Sequence, residues 1–244
     1  MVAISTDSIT KKYGDIAALE TLSITIEEGE LYGLLGPNGA GKSTTIGILT
    51  GQIVPDAGSV TVLGRDPITD PLSVRAAIGI LPEKESPPSL LTPREFLRFC
   101  GKVRELPDDQ VEEAVQTWAD RLGYQDVLDV LSADLSRGQQ QKVMITAAFF
   151  HDPQLVIIDE PLANLDPLVQ ERVKRLFQDH RDAGNTLILS THNVDVAGAI
   201  CSRVGILNKG SLVAEIRPGA IASDESLLDV FFTNVGTSHP MAND

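Results

Sequence analysis

The chain has 244 residues, 42% hydrophobic and 22% charged, a balance that suits one large or two-lobed globular domain with a sizeable core. Its 34 acidic residues outnumber 20 basic ones, and the net charge of −14 repels nucleic-acid phosphates at long range. No local basic patch offsets this, so DNA and RNA are not expected partners. The acidity fits either a salt-rich cytoplasm or simply a soluble surface. Cys100 and Cys201 stand far apart outside any C-x-x-C pattern, which argues against a metal or redox pair and for reduced intracellular thiols. Residues 1–10 hold no apolar signal core, and no run approaches the ~18 apolar residues of a membrane span. Any membrane role would have to come from another chain.

Ile4, Ile9, Leu19, Leu22, Ile24 and Ile26 fall in short, partly alternating segments broken at Tyr13-Gly14 and Glu28-Gly29, which predicts antiparallel strands. Tyr13 could stack on a purine base, although a lone tyrosine in a strand is more often a packing residue. The apolar run 31–35 then enters Gly36-Pro37-Asn38-Gly39-Ala40-Gly41-Lys42-Ser43-Thr44, and residues 44–50 leave it as a helix closed by Gly51. Two glycines with four residues between them, then Lys and Ser, in a strand–loop–helix context form a phosphate loop. The physical reason is that consecutive backbone N–H groups can wrap a polyphosphate only where no Cβ blocks the approach. Lys42 supplies a mobile cation for the β and γ phosphates, the helix beginning there points its positive end at them, and the Ser43 hydroxyl can ligate Mg²⁺.

Residues 58–63 and 78–82 read as further strands, with Glu83 directly after the second. Helices follow. Thr92-Pro93-Arg94-Glu95 is a capping box ahead of Phe96, Phe99, Cys100 and Val103, which fall at helical spacing and are expected to pack. A second helix carries Val111, Ala114, Val115, Trp118 and Leu122 and stops at Gly123. Leu135-Ser136-Arg137-Gly138-Gln139 opens a third, which ends before Asp152-Pro153. Ser136 and Gly138 at a helix start could contact a second phosphate, yet alone they describe an ordinary cap.

The continuous apolar run 155–158 ends in Asp159-Glu160, the form of a strand buried on both faces of a parallel sheet. Beside a phosphate loop, Asp159 would hold Mg²⁺ through water and Glu160 could polarise an attacking water. The gap from Lys42 to Asp159 far exceeds a few βα units, so the helices between about 84 and 153 read as an inserted lobe. After Asp166-Pro167 a helix carries Val169, Val173, Leu176, Phe177 and His180 on one face, ends at Gly184 and feeds a strand at 186–190. His192 follows, on the edge where parallel sheets bind ligands, within reach of a γ-phosphate or the attacking water. A closing hairpin at 204–216, a last helix at 227–232 and a disordered tail at 236–244 complete the reading.

In number and order these motifs resemble the ATP-binding subunits of ABC transporters over nearly the full chain, most like the drug-resistance or exporter type. The resemblance implies an α/β fold: a P-loop NTPase (RecA-like) core with an N-terminal antiparallel β subdomain and an inserted α-helical subdomain. It implies one ATPase domain over 1–235, with core about 1–83 and 154–216, lobe about 84–153 and C-terminal helix about 224–235. Tyr13 becomes the adenine-stacking aromatic, residues 36–44 (Gly36, Pro37, Asn38, Gly39, Ala40, Gly41, Lys42, Ser43 and Thr44) the Walker A loop, and Leu135 to Gln139 the signature motif, whose Ser136, Gly138 and Gln139 meet nucleotide. Residues 155–159 become Walker B, Glu160 the catalytic base, residues 163–166 the D-loop and His192 the switch histidine. Ser43, Glu83 and Asp159 would serve the metal, with ATP and Mg²⁺ as cofactors.

Members of that family sandwich two ATP between two such domains, so a second ATPase subunit, in a homodimer, and a separate transmembrane permease are the implied partners. The expected place is peripheral, on the cytoplasmic face of the cell membrane, driving export. A soluble ABC ATPase of the iron–sulfur assembly type, without transport, is the alternative. Three positions depart from the family pattern: Glu83 stands where a glutamine is usual, Arg137 where the first signature glycine is usual, and Ala163-Asn164 where Ser-Gly is common.

Overall fold

The structure is a computed structural model that describes residues 1–84, 86–162, 165–222 and 225–236. The D-loop pair Ala163-Asn164 and the tail beyond Gly236 lie outside the described residues. Strands β1 (Val2–Tyr13) and β2 (Ile16–Glu27) form an antiparallel pair, with Leu22, Ile24 and Ile26 buried and their intervening neighbours exposed, the period of a half-buried strand. Strand β3 (Leu31–Leu35), helix α1 (Lys42–Leu49) and strand β4 (Ala57–Val62) follow, and β4 pairs antiparallel with β1 to give a three-stranded sheet of order β2-β1-β4. Leu63, expected as strand, instead turns the chain with φ +49.

The larger sheet has the order β5-β6-β7-β3-β8-β9, built from β5 (Ile78–Leu81), β6 (Leu155–Asp159), β7 (Thr186–Thr191), β8 (Arg203–Asn208) and β9 (Ser211–Ile216). All its pairings are parallel except β8 with β9. Strands β3 and β6 are buried at every residue, which explains their unbroken apolar sequences. Helices α3 (Pro93–Val103), α4 (Asp108–Leu122) and α5 (Arg137–Phe149) lie in the chain between the adjacent strands β5 and β6. The capping box at Thr92 and Glu95 forms as its sequence requires. Phe99 and Val103 do not pack as expected: they are 59% and 64% exposed, because α3 buries Pro93, Leu97 and Gly101 instead.

Helix α6 (Pro167–Asp182) starts at Asp166, whose carboxylate accepts from the N–H groups of Leu168 and Val169, and it buries Val169, Val173, Leu176 and Phe177. Two short helices were not foreseen, α2 (Pro71–Ala77) and α7 (Val194–Ile200), and the last, α8 (Leu227–Val235), outruns the 227–232 read from its pattern and ends at the 235 that the family resemblance implied. Each of the two is only seven residues long, too few to show a hydrophobic period.

The order of the large sheet makes the site. Strands β3, β7 and β6 lie side by side although the chain visits them far apart, and Leu35 pairs with Thr191 while Asp159 pairs with Ser190. Residues just past three strand ends therefore converge on one sheet edge: the loop after β3, Glu160 after β6 and His192 after β7.

Candidate nucleotide site

The loop after β3 is pinned at both ends. Gly36 N–H donates to Thr191 O at 3.3 Å, and Gly210 N–H donates to Ala40 O at 3.0 Å. Gly41 sits at φ +107 as the residue before α1 and makes no side-chain cap, and a Cβ there would come within 2.6 Å of Ala18 O. Only glycine fits, and the first N–H groups of α1 are left without a side-chain acceptor. That is the donor-rich, positively polarised end that favours phosphate.

Lys42 is buried, and its Nζ donates to Gly36 O at 2.7 Å and Pro37 O at 3.2 Å. Burial lowers its pKa from the usual lysine value, against the opposing pull of Glu160, Asp159 and Glu83. The ammonium is thus held by two backbone carbonyls, in the field of three carboxylates. Ser43 Oγ donates to Asp159 Oδ2 at 2.9 Å, while Asp159 Oδ1 is buried with no hydrogen-bond partner among the described residues.

An orphaned carboxylate oxygen beside a hydroxyl is a donor set of hard oxygens, which fits Mg²⁺. Among the described residues no three His, Cys, Asp or Glu side chains gather to hold a metal unaided. Mg²⁺ is commonly bound by one or two carboxylates together with substrate phosphates, so a sparse protein set is what such a site needs.

Glu160 has a left-handed backbone at φ +48, uncommon for a non-glycine residue, and its N–H donates to Ser190 O at 3.0 Å. Its Oε1 accepts from His192 N–H at 2.9 Å and lies 2.6 Å from His192 Nδ1, while Oε2 accepts from Thr191 Oγ at 3.3 Å. The strained backbone turns the carboxylate toward the end of β7.

Tyr13, residues 38–44, Glu83, Asp159, Glu160 and His192 line one open cleft of about 560 Å³. Tyr13 is 49% exposed, with Lys11 Nζ 5.7 Å from its ring centroid, so its outer face is free to stack. Gly36 and Pro37 underlie the cleft through their bonds to Lys42. Ser136, Gly138 and Gln139 do not line it. Ser136 caps α5 in a reciprocal box with Gln139, and Arg137 begins that helix without needing a glycine conformation. Sequence reasoning missed Ile16, Ala17, Ala18 and Lys84, which also line the cleft. The one usable signal was Ile16, an apolar residue beside a turn; the others carry no pattern.

The family model described as ABC transporter matches residues 19–163. The chain belongs to that family. A Nod factor export ATP-binding protein I of Sinorhizobium fredii is 36% identical over 233 residues, covering 94% of this chain and 67% of the relative. A solved ATP-binding subunit of an ABC transporter superposes with a TM-score of 0.87 at 29% identity, over 96% of this chain and 99% of that one. A dimeric bacterial ABC transporter cassette gives a TM-score of 0.81 at 25% identity, covering 88% of this chain and 98% of its own. The expected fold and the expected class, an ATP-binding and ATP-hydrolysing subunit of an ABC transporter, stand with that membership.

Proposed function

We propose that this ABC ATPase binds MgATP in the cleft above residues 36–44, hydrolyses it with Glu160 as general base, and drives export through a separate membrane-spanning subunit. The observation that carries the reading is the split of the predicted site. Lys42, Asp159, Glu160 and His192 surround one cleft, while Ser136, Gly138 and Gln139 lie outside it on the N-terminus of α5. A signature motif that must touch nucleotide, and cannot line the cleft of its own chain, is supplied by a second copy. The dimeric relative supports this arrangement.

In the proposed chemistry, backbone N–H groups of residues 38–44 and the Lys42 ammonium bind the phosphates, and Tyr13 stacks on the base. Ser43 and Asp159, with Glu83 at the cleft wall, would hold Mg²⁺, which would supply neutralisation of phosphate charge. Glu160 takes a proton from the attacking water, and His192 fixes the carboxylate. The domain division follows the same reading: a core of about 1–83 and 154–216 carries a helical lobe of about 84–153. Among the described residues no helix is long and apolar enough to cross a membrane. A peripheral place on the cytoplasmic face beside a permease agrees with that, and export agrees with the name of the Sinorhizobium relative.

The test is Glu160→Gln. Turnover should fall by about 10²–10⁴-fold while ATP still binds. Parental turnover would remove Glu160 from the catalytic role.

A further inference from the structure

We infer that Thr191 is a positioning residue for hydrolysis: its hydroxyl holds the Glu160 carboxylate in the orientation from which it meets the attacking water. The inference rests on the proposed role of Glu160 as general base. Thr191 is the last residue of β7 and is only 3% exposed, so its side chain is held within the fold. Its Oγ accepts from Asn193 N–H at 3.1 Å, which fixes the side chain and leaves the hydroxyl proton for another acceptor. That acceptor is Glu160 Oε2, at 3.3 Å.

Each oxygen of Glu160 thus has its own anchor. Oε1 is held by the His192 backbone N–H and faces the imidazole, and among the described residues Oε2 has no donor besides Thr191. With the backbone of Glu160 already at φ +48, the carboxylate is fixed at its root and at both tips. Without the hydroxyl it keeps one anchored oxygen and can rotate about it. A base displaced by about 1 Å loses up to about 100-fold in rate. In the proposed mechanism Glu160 acts on the attacking water and the phosphates are held by residues 38–44, so the effect is expected in the chemical step.

Valine is nearly isosteric with threonine and suits a strand end, so Thr191→Val keeps the shape while removing the donor to Glu160 and the acceptor of Asn193 N–H together. Steady-state ATPase kinetics on the full chain at saturating Mg²⁺ should show kcat down about 10–100-fold with KM for ATP within about two-fold. Thr191→Ser, which keeps the hydroxyl, should stay within about three-fold of the parent, and Thr191→Ala serves as a second hydroxyl-free variant should valine fold poorly. In a Glu160→Gln background the valine change should add nothing, because the base it positions is gone. Parental kcat in Thr191→Val or Thr191→Ala, beside an inactive Glu160→Gln, overturns the inference and leaves the role of Glu160 intact. So does a raised KM with unchanged kcat. A Glu160→Gln variant that still turns over at the parental rate overturns both.

Discussion

His192 Nδ1 lies 2.6 Å from Glu160 Oε1, a contact made across the ends of the neighbouring strands β7 and β6. The His192 backbone N–H reaches the same oxygen at 2.9 Å, so one residue grips the carboxylate twice. The contact is made from a left-handed backbone at Glu160, φ +48, just past the end of β6. A site of this kind is specified by strand order, and the groups that act together need not be close in sequence.

Ser136 separates a structural from a functional role. Its hydroxyl caps α5 by accepting from Gln139 N–H at 3.3 Å. Aspartate caps a helix as well as serine does and suits the positive end of its dipole, so Ser136→Asp should keep the melting temperature within about 2 °C. The added charge would face the triphosphate of the opposite chain, and turnover should fall at least about ten-fold. ATP affinity of the isolated subunit should not change, since the residue is outside that chain's own cleft. Thermal melting, nucleotide titration and ATPase rate together check it; unaltered turnover contradicts a signature contact.

Lys42→Ala removes a buried cation bonded to two loop carbonyls and lying in the field of three carboxylates. Losing charge-assisted bonds worth about 1.5–3 kcal/mol should weaken ATP binding by about 10–100-fold. Calorimetric titration reads this directly, and equal affinity in parent and variant would contradict the phosphate-loop assignment.

His151 gives the fold a defined acid weakness. Burial, reinforced by the neighbouring Arg104 cation, lowers its pKa from 6.5 to about 4. Below about pH 6.5 the unfolded chain takes up a proton that the folded chain refuses, so stability falls as pH drops toward about 4 and this contribution then levels off. The loss is on the order of 3 kcal/mol. His151→Gln should flatten the parental curve between pH 7 and pH 4.5 in urea unfolding. Identical slopes in parent and variant would show that folding leaves the pKa of His151 unshifted.

Much of this site is legible in the residues, for physical reasons that differ by motif. The phosphate loop is legible because backbone donors, a cation and a hydroxyl must come from one short segment. The Asp159-Glu160 pair is legible because two carboxylates at the end of an apolar strand need a ligand or a counter-charge. Tyr13, Ser136 and His192 are ambiguous alone, since each also has an ordinary structural reading, and only their order along the chain raises them together. Thr191 was not legible at all: a strand-end threonine carries no pattern, and its partner is fixed by which strands are neighbours. Phe99 and Val103 misled in the opposite sense, because helical spacing shows that an apolar stripe exists without showing that anything covers it.

On the proposed reading the hydrolytic site is complete only between two chains. The most direct test is the solution mass of Glu160→Gln, by light scattering after gel filtration, with and without ATP and Mg²⁺. Blocked hydrolysis should trap the closed pair, so the mass should double from that of the 26.2 kDa chain when ATP is added and return when it is removed. A variant that binds ATP and remains at the mass of one chain would contradict the account.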